Sequence, residues 1–214
     1  MAAPVTELLT LPPWLDLAGI AVFALSGAAL ATRLRMTMVT VIFFALVTGV
    51  GGGSVRDLLI DAPVFWVRDP WVAPVVLLTA LVAWFTPSRW WEGRMLDWAD
   101  AVGLAAYSVL GTAKALFYGV EFVPAIMMGI ITGCVGGIIR DVLAGRPSIL
   151  MRPELYVTAA ALSAALLVGL VLAGLPAGAA GLIAAGAGFA LRGAAIWRGW
   201  SLPAYRGRSQ PPAT

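Results

Sequence analysis

The chain contains no histidine and a single cysteine, Cys134, among its 214 residues, and only 12% of those residues are charged. Without histidine it lacks the commonest protein ligand for transition metals and the usual near-neutral proton carrier. One cysteine excludes an internal disulfide and a multi-thiolate metal site. No Gly-x-x-x-x-Gly-Lys-Ser/Thr phosphate loop occurs, so an ATP-driven pump would need a partner subunit. The isoelectric point near 9.5 comes from arginines in loops and in the C-terminal tail, and no basic cluster is interleaved with aromatics as in a nucleic-acid-binding face. Polar surface is scarce as well. With 61% hydrophobic residues and a mean hydropathy of +0.93, the chain cannot coat a soluble globule of this size. These absences point to an integral membrane protein that is not an enzyme, with no cofactor and no metal, and with the lipid bilayer as its first partner.

What is present is a duplication. Residues Gly49–Pro63 read GVGGGSVRDLLIDAP and residues Gly133–Pro147 read GCVGGIIRDVLAGRP, an offset of 84 residues without a gap. Over Asp16–Arg68 against Asp100–Arg152, 17 of 53 positions are identical. Each copy places a glycine cluster and then an Arg-Asp pair inside a long apolar stretch, where charge is costly and usually marks an ion or substrate path.

Uncharged windows of about 17–25 residues locate the membrane spans. Seven are expected, near Trp14–Thr32, Met36–Ile60, Pro70–Thr86, Trp98–Tyr118, Phe122–Ala144, Glu154–Ala173 and Ala177–Ile196. The last two come from one uncharged run, Leu155–Leu191, which is far too long for a single crossing and is divided by Gly174-Leu175-Pro176. With the N-terminus outside, eleven of the fourteen Lys and Arg residues fall on the inner side and only Arg56, Arg68 and Lys114 on the outer. Short cytoplasmic loops collect such residues, so an outer N-terminus and a cytoplasmic C-terminus are expected. Residues 1–20 contain no Lys or Arg, so no signal-peptide n-region is expected. Three spans per copy is an odd number, so the second copy crosses in the opposite sense.

The expected fold is therefore an all-α integral membrane protein. It has seven transmembrane helices, in two inverted three-helix repeats plus a seventh, with the second and fifth kinked at glycines. The domains are a short outer N-terminus (1–13), a first repeat (14–86), a cytoplasmic linker (87–97), a second repeat (98–173), a seventh helix (177–197) and a basic, disordered cytoplasmic tail (198–214).

Ala45, Gly49 and Gly53, and in the second copy Gly129, Gly133 and Gly137, are small residues at four-residue spacing that suit close helix packing. Consecutive glycines at Gly51-Gly52-Gly53 and Gly136-Gly137 exceed what packing needs and suggest a kink or an unwound turn facing a cavity. Arg56-Asp57 and Arg140-Asp141 follow each cluster. One reading is an interfacial ion pair with a snorkelling arginine; because neighbours at i and i+1 diverge on a helix, the other is crossed pairs, Arg56 with Asp141 and Arg140 with Asp57. Asp16 and Asp100 suit helix starts, where a carboxylate meets the positive end of the dipole, and are otherwise candidate pore liners. Lys114 either snorkels or faces the path and repels cations. Ser26, Thr48, Thr112 and Thr132 are hydroxyls usually bonded to their own helix, and are candidate pore liners by the helices they occupy.

Seven spans, an inverted three-helix repeat and two copies of Gly-Gly-x-x-Arg-Asp resemble the prokaryotic trimeric intracellular cation (TRIC) channels, over about residues 14–197. The resemblance implies a homotrimer with one pore per protomer for K+ and other monovalent cations such as Na+. It implies a pore bordered by the two glycine-bearing helices, at Gly51, Gly52, Gly53, Arg56 and Asp57 and at Gly136, Gly137, Arg140 and Asp141. Two departures stand out. The Lys-Glu-Val motif of animal members is absent, and Val135 stands where a third glycine would complete the second copy. Related bacterial sequences are also classed as glycine transporters. The first expectation is thus a passive monovalent-cation channel in the bacterial or archaeal cytoplasmic membrane. A secondary transporter for glycine or another small zwitterion is the alternative, and a membrane scaffold the weakest third.

Overall fold

The computed structural model describes residues 13–91 and 94–203. Among the described residues the chain forms α1 (Pro13–Arg33), α2 (Met38–Leu59), the single turn α3 (Phe65–Arg68), α4 (Val72–Phe85), α5 (Met95–Phe117), α6 (Phe122–Leu143), α7 (Val157–Leu172) and α8 (Ala177–Arg198). Short 3-10 turns occupy Ser88–Trp91 and Ile149–Met151. Each expected span overlaps one of the long helices. Turn α3 and the 3-10 turns are too short to carry a hydrophobic period. The outer N-terminal segment before Pro13 and the basic tail from residue 204 onward lie outside the described residues.

Four helices, α1, α2, α6 and α8, are long and apolar enough to cross a membrane. Helices α4 and α7 are apolar but shorter, at 14 and 16 residues. Helix α5 is the longest at 23 residues and carries Asp97, Asp100 and Lys114. Local chemistry sets the boundaries. Pro74 and Pro124 sit in the first turns of α4 and α6, where a missing amide donor costs nothing. Gly174, at φ +89°, turns the chain between α7 and α8 as its spacing suggests.

The two copies end α2 and α6 in the same way. Asp61 and Gly145, 84 residues apart, both adopt positive φ. Ala62 N–H then donates back to Asp57 O at 2.8 Å and Arg146 N–H to Asp141 O at 3.0 Å. These bonds satisfy the last carbonyls of each helix, which lipid could not do.

The copies are inverted, and reciprocal contacts show it. The Tyr107 ring lies where a Cβ on Gly19 would go, and the Phe23 ring lies 3.0 Å from a Cβ on Gly103. The rings themselves meet edge to face at 5.4 Å. Residue numbers rise along α1 as they fall along α5, so the helices run antiparallel. The same holds where α2 crosses α6. A Cβ on Gly52 would overlap the Thr132 carbonyl oxygen, and one on Gly136 would overlap the Thr48 carbonyl oxygen.

This crossing corrects one expectation. No unwound turn interrupts either helix, because α2 is α-helical through Gly51–Gly53 and α6 through Gly136-Gly137. The glycines instead remove the Cβ atoms that would hold two backbones apart, and their hydrogens face carbonyl oxygens at short range. Apolar packing flanks the crossing on both sides. Val41, Phe44, Val72 and Val76 join α2 to α4 beneath α1, while Val109, Leu167, Ala180 and Ala184 join α5, α7 and α8.

If the crossing is sterically limited, Gly52→Ala and Gly136→Ala should each lower stability by about 1–3 kcal/mol, the usual cost of overpacking. Gly169→Ala is the control, because nothing lies within 4 Å of its added methyl. It should lose no stability in thermal denaturation of the detergent-purified protein. Equal effects at all three positions would remove the steric account.

Candidate functional site

Buried charge concentrates at the C-terminal ends of α2 and α6, which the antiparallel crossing sends to opposite ends of the bundle. The first cluster centres on Asp57, which is 0% exposed. Arg56 folds back onto its own neighbour, with Nε and Nη2 both 2.8 Å from Asp57 Oδ1. Lys114 of α5 places Nζ 2.9 Å from each oxygen of the same carboxylate. Phe65 N–H donates to Asp57 Oδ2 at 3.0 Å, which starts the turn α3. The Phe65 ring lies under both cations, 5.9 Å from Arg56 and 5.8 Å from Lys114.

The second cluster repeats the core of this arrangement. Arg140 Nε and Nη2 lie 2.9 Å from Asp141 Oδ1, and Ile149 N–H donates to Asp141 Oδ2 at 3.0 Å. Phe65 and Ile149 are themselves 84 residues apart. The sequence motif therefore encodes a complete device. One carboxylate oxygen holds the arginine fork, and the other caps the helical turn that begins eight residues later. Charge-assisted bonds of this kind are roughly twice as strong as neutral ones.

The third partner differs between copies. Arg140 Nη1 reaches Asp100 Oδ1 of α5 at 2.9 Å and also bonds Ser26 Oγ of α1. Ser26 Oγ lies 3.5 Å from the same Asp100 oxygen. Asp100 and Lys114 are about 21 Å apart along α5 at 1.5 Å per residue. One helix therefore serves both clusters, giving an acid to one and a base to the other.

The expected crossed pairs are not formed. Arg56 binds Asp57 rather than Asp141, and Arg140 binds Asp141 rather than Asp57. The argument from helical divergence fails because the arginine stem is long enough to turn its guanidinium back over the next residue. The antiparallel crossing also carries the two motifs away from each other. Asp100 is not a helix cap either. It lies buried in the second turn of α5 as a partner of Arg140. Asp16 does sit in the first turn of α1, and its backbone carbonyl accepts from Tyr107 Oη at 3.0 Å.

The hydroxyls divide. Thr112 and Thr132 donate to Ser108 O at 2.8 Å and Met128 O at 2.6 Å, within their own helices. Thr48 Oγ1 is buried without a partner among the described residues. Thr48 and Thr132 fill the places where Gly27 and Gly111 would carry a Cβ, one in each copy. Gly51 faces Ile139, Gly53 faces the Phe65 ring, Gly133 faces Ser108 and Leu104, and Gly137 faces Tyr156. Tyr156 was not singled out in the sequence, since a tyrosine before an apolar run reads as an interfacial anchor. Arg192 was counted only as an inner-side arginine, yet it is 2% exposed and stacks over the Tyr156 ring at 5.4 Å.

Both arginines are buried, at 5% exposed each, while the Lys114 side chain of the first cluster is 19% exposed.

A family model described as Glycine transporter matches residues 13–88 and 97–172. The chain is 44% identical over 151 residues to a UPF0126 membrane protein of Vibrio cholerae serotype O1, covering 68% of this chain and 62% of that protein. It therefore spans less than two thirds of that relative's length. It is 44% identical over 149 residues to the UPF0126 inner membrane protein YadS of Escherichia coli strain K12, covering 68% of this chain and 72% of that one. In structure it is similar to the TRIC trimeric intracellular cation channel orthologue from Rhodobacter sphaeroides, at a TM-score of 0.81 and 39% identity over 87% of this chain and 97% of that one. A second structure, solved to explain conductance through TRIC cation channels, matches at a TM-score of 0.81 and 26% identity, covering 92% and 98%. The resemblance drawn from the doubled motif thus holds for the whole fold.

Ion pairing within each cluster gives a direct test. Asp57→Asn and Lys114→Met should couple in a double-mutant cycle on thermal stability by about 0.5–3 kcal/mol, as contacting residues do. Asp100→Asn and Arg140→Gln should do the same. Arg56→Gln with Asp141→Asn should be additive. Coupling in that last pair alone would restore the crossed arrangement.

Proposed function

The chain belongs to the family described as Glycine transporter, and from its likeness to a TRIC channel orthologue we propose that it is a passive channel for monovalent cations. The observation that carries this reading is the pair of buried charge clusters at the two ends of the glycine crossing. Each is built from groups that only a polar path would justify inside a membrane. Permeation runs along α2 and α6 with α1 and α5 beside them. Lys114 and Arg140 close it by occupying the places a cation would take. Ser26, Thr48, Thr112 and Thr132 supply hydroxyl oxygens to a partly dehydrated ion once those cations withdraw.

In this reading the chain crosses the cytoplasmic membrane seven times, with an outer N-terminus and a cytoplasmic C-terminus. Residues 14–86 and 98–173 form the two inverted repeats. Three copies assemble, each with its own pore, and K+ permeates ahead of or alongside Na+. The alternative reading is a transporter in which the same crossing encloses one small zwitterion per conformational cycle.

Recording in planar bilayers separates the two. A channel gives discrete K+ currents that need no added amino acid, while a transporter is limited by conformational cycles on the microsecond-to-millisecond scale. Wild-type protein should show unitary K+ openings, and Lys114→Met should raise open probability by removing a blocking charge. Saturable glycine uptake with counterflow and no unitary current would overturn the channel in favour of the transporter.

A further inference from the structure

Away from both clusters, a cavity of about 200 Å³ opens at the end of the bundle where α5 begins and α8 ends. Arg94, Asp97, Glu154, Arg192, Ile196 and Trp200 line it. The segment after α8 folds across this end. Gly199 turns at φ +68°, Ser201 pairs with Glu154 in a β-bridge, and Leu202 N–H donates to Pro153 O at 2.6 Å.

The two arginines and two carboxylates of the cavity balance in charge but are not all paired. Glu154 pairs with Arg192, at 2.6 Å through Nη2, and with Arg152 at 3.7 Å, while the buried Nε of Arg192 has no partner among the described residues. Arg94 and Asp97 are one helical turn apart and within reach of each other, yet no salt bridge joins them. Among the described residues, Arg94 Nη1 makes a long contact of 3.4 Å to Trp197 O. Asp97 is half-buried and has no salt bridge among the described residues.

Among the described residues, the cavity thus holds arginine N–H groups that its acceptors do not fully meet and one carboxylate, Asp97, outside any salt bridge. A lone anion would meet the Asp97 and Glu154 carboxylates, and a lone cation would meet Arg94 and Arg192. A metal ion finds no group of three or more His, Cys, Asp or Glu side chains among the described residues. We propose that this cavity binds a small zwitterion, a primary ammonium joined by a short tether to a phosphate or carboxylate. The anionic end lies against Arg94 and Arg192, and the ammonium lies against Asp97 and Glu154. Phosphatidylethanolamine headgroups and free amino acids share this chemistry. Trp197 and Trp200, 72% and 43% exposed beside the cavity, suit a membrane interface where the first source is abundant. The site stands apart from the charge clusters, so its occupancy does not depend on the ion pathway.

The test uses full-length protein purified in detergent, with thermal shift and calorimetric titration. Phosphoethanolamine should bind saturably and raise the melting temperature, whereas inorganic phosphate alone and ethanolamine alone should not at the same concentration. Phosphocholine should bind more weakly, because a quaternary ammonium donates no hydrogen bond to a carboxylate. Arg94→Gln and Asp97→Asn, both at partly exposed positions, should weaken phosphoethanolamine about tenfold or more through loss of a charged hydrogen bond, with ligand-free melting unchanged. Glycine titration, and native mass spectrometry from phosphatidylethanolamine and phosphatidylcholine nanodiscs, identify the source. Retained ethanolamine lipid, lost in Arg94→Gln, supports the headgroup. Glycine binding without lipid preference supports the free amino acid. Phosphate binding as tightly as phosphoethanolamine, binding undiminished in both variants, or no binding of any zwitterion would overturn the proposal.

Discussion

The structure depends on keeping two carboxylates, Asp57 and Asp141, charged and satisfied inside an apolar bundle. An isolated buried carboxylate is strongly disfavoured, and removing one partner of a buried ion pair typically costs about 3–5 kcal/mol. The chain meets this requirement twice with the same device. The preceding arginine folds back onto one oxygen while the amide of Phe65 or Ile149 binds the other. Much else follows from that arrangement. It ends α2 and α6, starts the short turns after them, and draws α5 into contact with both clusters through Lys114 and Asp100. The position of α5 is therefore set by charge at each end and by the Phe23–Tyr107 contact between.

The glycine crossing serves this arrangement rather than competing with it. Because Gly52 and Gly136 let backbone meet backbone, α2 and α6 approach closely at their middles, and their charged C-terminal ends emerge on opposite sides of the contact. A crossing held by bulky side chains would separate the helices and leave the buried polar groups at each end more open to lipid. The proposed pathway thus needs both features together: small residues where the helices touch, and charge where they part.

Much of this was legible in the sequence, for identifiable reasons. Apolar run lengths located the long helices, and the 84-residue offset located the duplication. The odd number of spans per copy implied the inversion that the Gly19–Tyr107 and Gly103–Phe23 contacts display. Arg56, Asp57, Arg140, Asp141, Lys114, Asp100 and Ser26 were singled out, and they fall into two clusters. The pairing within those clusters was not legible. Helical geometry says where Cβ atoms point, but it does not limit a four-torsion arginine side chain, so Arg56 could reach Asp57. The unwound turn expected at the glycines is absent for a related reason. A run of them signals backbone freedom in isolation, and only the antiparallel neighbour shows that it provides clearance. Phe65 and Ile149 contribute amides rather than side chains, which no residue-type argument detects. Arg192 escaped because its burial depends on Tyr156 and Glu154, brought close only by the fold.

The pseudo-twofold relates the backbones but not the electrical content of the two ends. The bonded groups of the first cluster are Arg56, Lys114 and Asp57, a net positive charge, and those of the second are Arg140, Asp141 and Asp100, a net negative charge. On α5 the acid stands near the N-terminus and the base near the C-terminus, opposite in sense to the helix macrodipole of roughly half a charge at each end. Whole charges at Asp100 and Lys114 exceed those half charges, so α5 is polarised in reverse. The two clusters thus differ in net charge although the scaffold that carries them repeats.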